Sequence, residues 1–152
     1  MPVQNYMSLT RLIERMHRRF LDVLRKELIA EGVRDINGVQ YLMLANIGDD
    51  EIMVRELVER GYYLGSNVTY NVKKLLDFGY VDQRGSELDK RVIMVSVSDK
   101  GRRLLERMQR REHLHAGAFA DMHSIEQMRG AVETLRRLER VWDDVVAEVH
   151  AA

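Results

Sequence analysis

Two long amphipathic stripes bracket this chain, and whatever it folds into has to bury them. Leu9, Leu12, Ile13, Met16, Phe20, Val23, Leu24 and Leu28 recur at three- and four-residue steps. That spacing predicts a helix over about 7–30, with Arg and Glu on its other face. At the far end Met128, Val132, Leu135, Leu138, Val141, Trp142, Val145, Val146 and Val149 keep the same spacing behind Ser124, a candidate cap. Both stripes are longer than a small module needs to close its own core. A second copy of the chain is the economical place to bury them, so a homodimer is expected. The alternative is that the end helices fold back on their own module.

The segment between the stripes reads as shorter elements. Gly32 stands where a C-terminal stop belongs. Val39, Leu42, Met43 and Ile47 give a second helix ending near Gly48, and Met53, Leu57 and Val58 a third ending at Gly61. Ser66–Asn67 opens a fourth, striped by Val68, Val72, Leu75 and Leu76 and closed by Gly79. The period then changes. Tyr80–Arg84 and the β-branched run Arg91–Val97 are strand candidates flanking a polar turn, Gly85–Lys90. Ser98-Asp99-Lys100 looks like a helix entry, continued by Leu104, Leu105 and Met108, and Gly117 marks a break. Three short helices followed by a hairpin make a winged helix-turn-helix. The expected fold is mainly α with a small β-hairpin wing. It forms one domain, 1–152, with the DNA-binding module at 33–103 and dimerisation helices at 1–32 and 104–152. Hinges are expected where the end helices meet the module, near Gly32 and Gly101.

Composition removes several classes. With 45% hydrophobic and 32% charged residues the chain can build a core. One Pro and 10 Gly are too few for a sandwich of many short strands. The absence of Cys excludes disulfides, thiolate metal sites and thiol redox chemistry. No apolar run reaches the roughly 18–20 residues of a membrane span, and the first residues are too polar for a signal peptide. A soluble cytoplasmic protein without a cofactor is expected. Lys+Arg and Asp+Glu are both 24, but nine basic against five acidic residues between Arg60 and Arg103 leave that segment at +4 and the rest at −4. This asymmetry suggests an anionic partner for the middle segment.

Helical projection of the fourth helix puts Ser66, Asn67, Tyr70, Lys73, Lys74 and Asp77 outward, with Thr69 and Asn71 at the margins. Asn can pair with an adenine edge, a Thr methyl can touch thymine, and Lys suits guanine or phosphate. Ser66, Asn67, Thr69, Tyr70 and Asn71 are the candidate base readers, and Lys73 and Lys74 the phosphate holders. The hairpin adds Arg84, Lys90 and Arg91, suited to the narrow, negative minor groove. Asp89 would hold the Arg91 guanidinium in one orientation.

At this point the chain resembles a known family. Gly65-Ser66-Asn67-Val68-Thr69-Tyr70-Asn71-Val72-Lys73-Lys74-Leu75-Leu76-Asp77-Phe78-Gly79-Tyr80-Val81 looks like the recognition helix and following strand of the MarR family of transcription factors. Asp89-Lys90-Arg91 matches its Asp-x-Arg wing signature, and Val95–Gly101 the strand and helix start beyond. Tyr62–Val68 is closer in wording to the LdtR- and PetP-like branch. The resemblance implies a homodimeric repressor with two recognition helices in successive major grooves of a near-palindromic double-stranded operator. It also implies release by a small aromatic or phenolic ligand in a cleft that Tyr6, Met7, Arg11, Met43 and Tyr62 would line. Tyr70 and Lys73 stand where many members carry Arg and Asp, so a base preference does not carry over.

Other classes lack their residues. An enzyme needs a nucleophile–base pair, a metal set or a phosphate-cradling loop, and no such motif is present. His113, His115 and His123 cluster with Glu112 and Asp121, but the first two point about 200° apart on a helix, so no metal site is expected. A helical dimeric adaptor that binds protein partners is the alternative reading. The basic middle segment and the Asp-x-Arg hairpin weigh against it.

Overall fold

The computed structural model describes the backbone of residues 2–61 and 65–151 and the side chains of 2–60 and 67–148. In chain order the elements are α1 (Pro2–Ala30), α2 (Gly38–Ile47), β1 (Ile52–Met53), α3 (Val54–Gly61), α4 (Gly65–Asp77), β2 (Val81–Gly85), β3 (Ile93–Val97), α5 (Asp99–Ala116), a 3-10 turn (Gly117–Phe119) and α6 (Met122–Ala151). They form two compact units, Met1–Arg111 and Glu112–Ala152.

In the first unit, α1 and α4 end by the same device. Gly32 and Gly79 both adopt φ 77°, a left-handed conformation that glycine enters without a Cβ penalty. At each, two amides return to carbonyls of the last turn. Gly32 N–H donates to Ile29 O (3.0 Å) and Val33 N–H to Leu28 O (2.8 Å); Gly79 N–H donates to Leu76 O (3.0 Å) and Tyr80 N–H to Leu75 O (2.8 Å). This is the Schellman motif, and its apolar contact is present both times, since Val33, Leu28, Tyr80 and Leu75 are all buried. α1 starts at Pro2 rather than near residue 7. Proline suits a first helical turn because its missing N–H would have no partner there.

α2 begins with a capping box. Gln40 N–H donates to Asn37 Oδ1 and Asn37 N–H to Gln40 Oε1, both at 2.9 Å. Leu24 and Leu28 of α1 pack with Tyr41, Met43, Leu44 and Ile47 of α2, Leu57 of α3, Val68, Val72 and Leu75 of α4, and Leu104 and Met108 of α5. The sheet has three strands in the order β1-β3-β2, all antiparallel. The third strand is an addition to the expected hairpin: Ile52 pairs with Val95 and Met53 with Met94. Met53, expected to begin the third helix, precedes it, and its N–H is capped by Glu56 Oε2 at 3.0 Å.

α5 starts against the turn that closes α4. Ser98 N–H donates to Tyr80 O (3.0 Å), Ser98 Oγ donates to Gly79 O (2.6 Å), and Gly101 N–H donates to Ser98 Oγ (3.1 Å). A Cβ on Gly101 would stand 2.2 Å from Tyr80 O and 2.8 Å from Val97 Cγ1. Gly101 therefore permits a close approach of the helix to a backbone carbonyl. Farther along α5, Arg107 and Arg111 reach Glu31 at the end of α1, at 3.2 and 2.5 Å. The Arg111 hydrogen bond holds the Glu31 carboxyl below the usual carboxylate range.

In the second unit, α5 ends at Ala116 and the 3-10 turn begins at Gly117. Asp121, not Ser124, caps α6: its Oδ1 accepts from Ser124 N–H at 2.9 Å, and hydrogen bonds from the Ser124 hydroxyl and then its N–H hold the Asp121 carboxyl below its ordinary range. An aspartate just before the first helical residue can accept from the amide three residues on, which a serine inside the first turn cannot. Ile125, Met128, Val132, Leu135, Val141, Val145 and Val146 are exposed along α6. An apolar groove of about 570 Å³ runs past Phe119, Ile125, Met128 and Val132. Gly101→Ala is expected to lower stability by roughly 1–3 kcal/mol in a denaturant titration, because a methyl group has no room against a backbone carbonyl. An unchanged midpoint would show that the contact is slack.

Candidate nucleic-acid interface

α4 lays Val68, Asn71, Val72 and Leu75 against the core. Asn67, Thr69, Tyr70, Lys73 and Asp77 face out, and Lys74 is partly covered. Lys73 Nζ lies 3.3 Å from Asp77 Oδ2, and Lys74 Nζ stands 5.7 Å from the centroid of the Tyr70 ring. The Ser66 side chain and all of Tyr62 lie outside the described residues.

One expected base reader is misplaced. Asn71 is only 8% exposed, and its Oδ1 accepts from Gln40 Nε2 at 3.1 Å. It cannot reach a base edge from there. The sequence held the signal, since Asn71 lies three residues after Val68 and four before Leu75, inside the apolar stripe. Its polarity hid that placement.

The β2–β3 loop carries Asp89, Lys90 and Arg91 at its tip. Asp89 Oδ1 accepts from Arg91 N–H at 3.0 Å and from Arg91 Nε at 3.3 Å, while the Arg91 side chain stays 93% exposed. The carboxylate thus grips the base of the arginine and leaves its far end available, the arrangement expected of an oriented cation. Lys90 is exposed beside it.

Arg84 behaves differently from the other wing cations. Its Nε donates to Glu51 Oε2 at 2.7 Å, and a second, shorter contact joins Nη2 to Oε1. The pair pushes the Glu51 pKa down and the Arg84 pKa up. The physical reason is the third strand. Arg84 pairs with Met94 and Met94 with Met53, so the arginine reaches across β3 toward the residue preceding β1. Arg84 is a strut of the sheet.

The same acidic turn takes two more cations. Asp50 meets Arg60 at 3.0 Å, and Asp49 lies 3.9 Å from Arg102. Lys100 lies 3.6 Å from Asp35 and donates to Phe78 O at 2.7 Å. Much of the +4 excess in the middle segment is therefore compensated by acids from outside it. Lys74, Lys90 and Arg91 lie on the α4 side and wing tip, together with the loosely paired Lys73.

Of the residues expected to line an effector cleft, the described ones lie in two different environments. Tyr6, Met7 and Arg11 are exposed on the first turns of α1, whereas Met43 is fully buried in the core under α2. A different groove, about 520 Å³, runs between the end of α1, the loop 31–37 and α4. Arg25, Arg34, Asn37, Tyr70, Lys74 and Phe78 are among its walls. Among the described residues no group of three or more His, Asp or Glu is placed to hold a metal ion; His113 and His115 sit in the last turn of α5 and His123 at the start of α6.

An outward polar helix packed on two shorter ones, followed by an antiparallel sheet with a basic loop, defines a winged helix-turn-helix protein. Residues 34–92 match the MarR family model. The exopolysaccharide II synthesis transcriptional activator ExpG of Rhizobium meliloti (strain 1021) is 40% identical over 141 residues, spanning 90% of this chain and 71% of that protein. The chain belongs to the MarR family and is a DNA-binding transcriptional regulator, not an enzyme. Solved structures share the fold. The regulator BldR from Sulfolobus solfataricus superposes with a TM-score of 0.71 at 20% identity, over 90% of this chain and 99% of that one. A mutant MarR from E. coli complexed with operator DNA gives 0.70 at 19%, over 86% and 95%. FabT from Streptococcus pneumoniae in complex with DNA gives 0.69 at 21%, over 90% and 99%. No helix among the described residues is long and apolar enough to cross a membrane.

The two wing arginines are expected to separate experimentally. Arg91→Ala should weaken DNA binding by roughly 1.5–3 kcal/mol, the range of a hydrogen bond to a charged group, with thermal stability unchanged. Arg84→Ala should instead leave DNA affinity less affected and lower the melting temperature only slightly, since an exposed pair contributes about 0–1 kcal/mol. Melting curves and fluorescence anisotropy on both variants check this, and the reverse pattern would reassign the roles.

Proposed function

We propose that two copies of this chain join through the apolar faces of α1 and α6 and set their α4 helices in successive major grooves of a near-palindromic DNA site. In this reading 1–32 and 104–152 serve dimerisation and 33–103 binds DNA. Ser66, Asn67, Thr69 and Tyr70 read bases, Lys73 and Lys74 hold phosphates, and Lys90 and Arg91 enter the minor groove. The observation that carries the reading is the outward row Asn67, Thr69, Tyr70 and Lys73 on a helix whose opposite face is core, with an exposed, oriented Arg91 on the neighbouring wing. The exposed stripes support the dimer: Val3, Met7, Met16 and Phe20 on α1, and Val132, Leu135, Val141 and Val145 on α6. Left in water, two such stripes would exceed the apolar patch that monomers usually expose.

The sign of regulation comes from the position of the bound site relative to the promoter, which the fold does not set. The resemblance implied repression. The 40% identical relative is by its name an activator, and the proposal follows that relative. Selection of bound sequences from random duplex DNA is expected to return two related half-sites centred about 10 bp apart, or a multiple of that. Lys73→Ala and Lys74→Ala should each weaken all sequences alike and flatten the salt dependence by about one unit. Transcription from a promoter bearing the selected site should rise with added protein. A monomer in sedimentation, or no enriched sequence, would reject the proposal, and a fall in transcription would reverse its sign.

Control by a small aromatic acid is the second part of the proposal. The 520 Å³ groove supports it, with Arg25, Arg34 and Lys74 to meet a carboxylate and Tyr70 and Phe78 to meet a ring. Tyr70 and Lys74 also belong to the DNA-facing helix, so an occupant would compete for them. Binding only the DNA-free form, a ligand shifts the equilibrium by its differential affinity. A panel of benzoates is expected to contain members that raise the melting temperature and weaken operator binding, both effects being lost in Arg34→Ala. A panel that moves neither quantity would exclude this class of effector.

A further inference from the structure

We infer that Gln40 and Asn71 are a positioning pair that sets the rotation of the recognition helix, and through it the discrimination between DNA sequences. The inference rests on the reading of α4 as the helix that reads bases. Gln40 is 5% exposed on α2 and Asn71 8% exposed on α4, and Gln40 Nε2 donates to Asn71 Oδ1 at 3.1 Å. The other end of the same amide is also occupied, because Gln40 Oε1 accepts from Asn37 N–H at 2.9 Å in the capping box of α2. One side chain thus closes the start of α2 and grips the middle of α4.

The α4 side chains buried beside Asn71 are Val68, Val72 and Leu75, with Leu76 partly buried against the same core, and these are apolar. Apolar contact is non-directional and tolerates small rotations of a helix on its bed. A buried hydrogen bond does not, since its strength falls steeply with length and angle and an unmet partner is costly in a low dielectric. Outward side chains lie about 5–6 Å from the helix axis, so a rotation of about 20° would carry their tips about 2 Å. That exceeds the tolerance of a hydrogen bond to a base edge. Asn71 directly follows Tyr70 and lies two residues before Lys73, so the pair governs the aim of outward residues it does not touch.

The test compares affinities for the sequence selected by the wild-type protein and for random duplex, together with the salt slope of each. Asn71→Leu keeps the number and branching of side-chain heavy atoms and removes the acceptor. It is expected to reduce the ratio of the two affinities by at least about tenfold, the worth of one good base contact, with the salt slope unchanged. Asn71→Asp keeps the accepting oxygen; its added charge weakens both duplexes alike, so the ratio should stay within about threefold of wild type. If Asn71→Leu does not fold, Gln40→Met removes the donor from a buried residue on a different helix, and the same pattern is expected. A folded variant that keeps full discrimination overturns the inference, as does a salt slope that falls in step with the ratio, which would mean lost phosphate contacts. A wild-type protein that prefers no sequence defeats the reading of α4 itself, and this inference with it.

Discussion

The geometry of the DNA-facing half is decided at one backbone carbonyl. Tyr80 O accepts from Ser98 N–H and lies so close to Gly101 that no side chain fits there. Around this point meet the turn that ends α4, the first residue of β2, the last of β3 and the first turn of α5. The Tyr80 side chain completes the joint. Its ring is buried with Lys100 Nζ 4.2 Å from the centroid, and its hydroxyl donates to Asp35 Oδ1 at 2.8 Å. Burial, then the Asp35 carboxylate, pushes the phenol pKa up. Recognition helix, wing and α1–α2 loop are thereby tied to one residue.

Charge is distributed by the same logic. The basic segment looks like a broad electrostatic footprint when counted along the chain, but tertiary packing spends much of it internally. The acidic turn Asp49-Asp50-Glu51 meets Arg102, Arg60 and Arg84. Exposed pairs of this kind contribute little stability each. Their larger effect is on where positive potential remains: along α4 and at the wing tip, which a duplex can approach together. A net charge near zero for the whole chain is compatible with DNA binding for this reason.

The long helices show a complementary division. The last turns of α1 are anchored by Leu24 and Leu28 in the core and by Glu31 to α5, while its first half presents apolar residues to water. α6 does so along most of its length. In the proposed dimer the equivalent stripe of another copy would cover both.

Local chemistry was legible in the chain. Gly32, Gly48 and Gly79 marked helix ends because only glycine enters the left-handed region freely, and apolar periodicity located the helices because each repeats its apolar residues along one face. The Asp89–Arg91 contact was legible because its partners are two residues apart. What the chain did not display were relations between distant residues. The two-residue strand β1 has no period to detect, and without it Arg84 looks like a free wing cation. Gln40 and Asn71 are 31 residues apart, so an asparagine that reads as a base contact becomes a buried tie only when α2 lies under α4. Met43 likewise passes from groove wall to core. Short-range propensity sets which elements form; which polar groups remain available to a partner depends on desolvation and pairing across the fold, and those exist only in three dimensions.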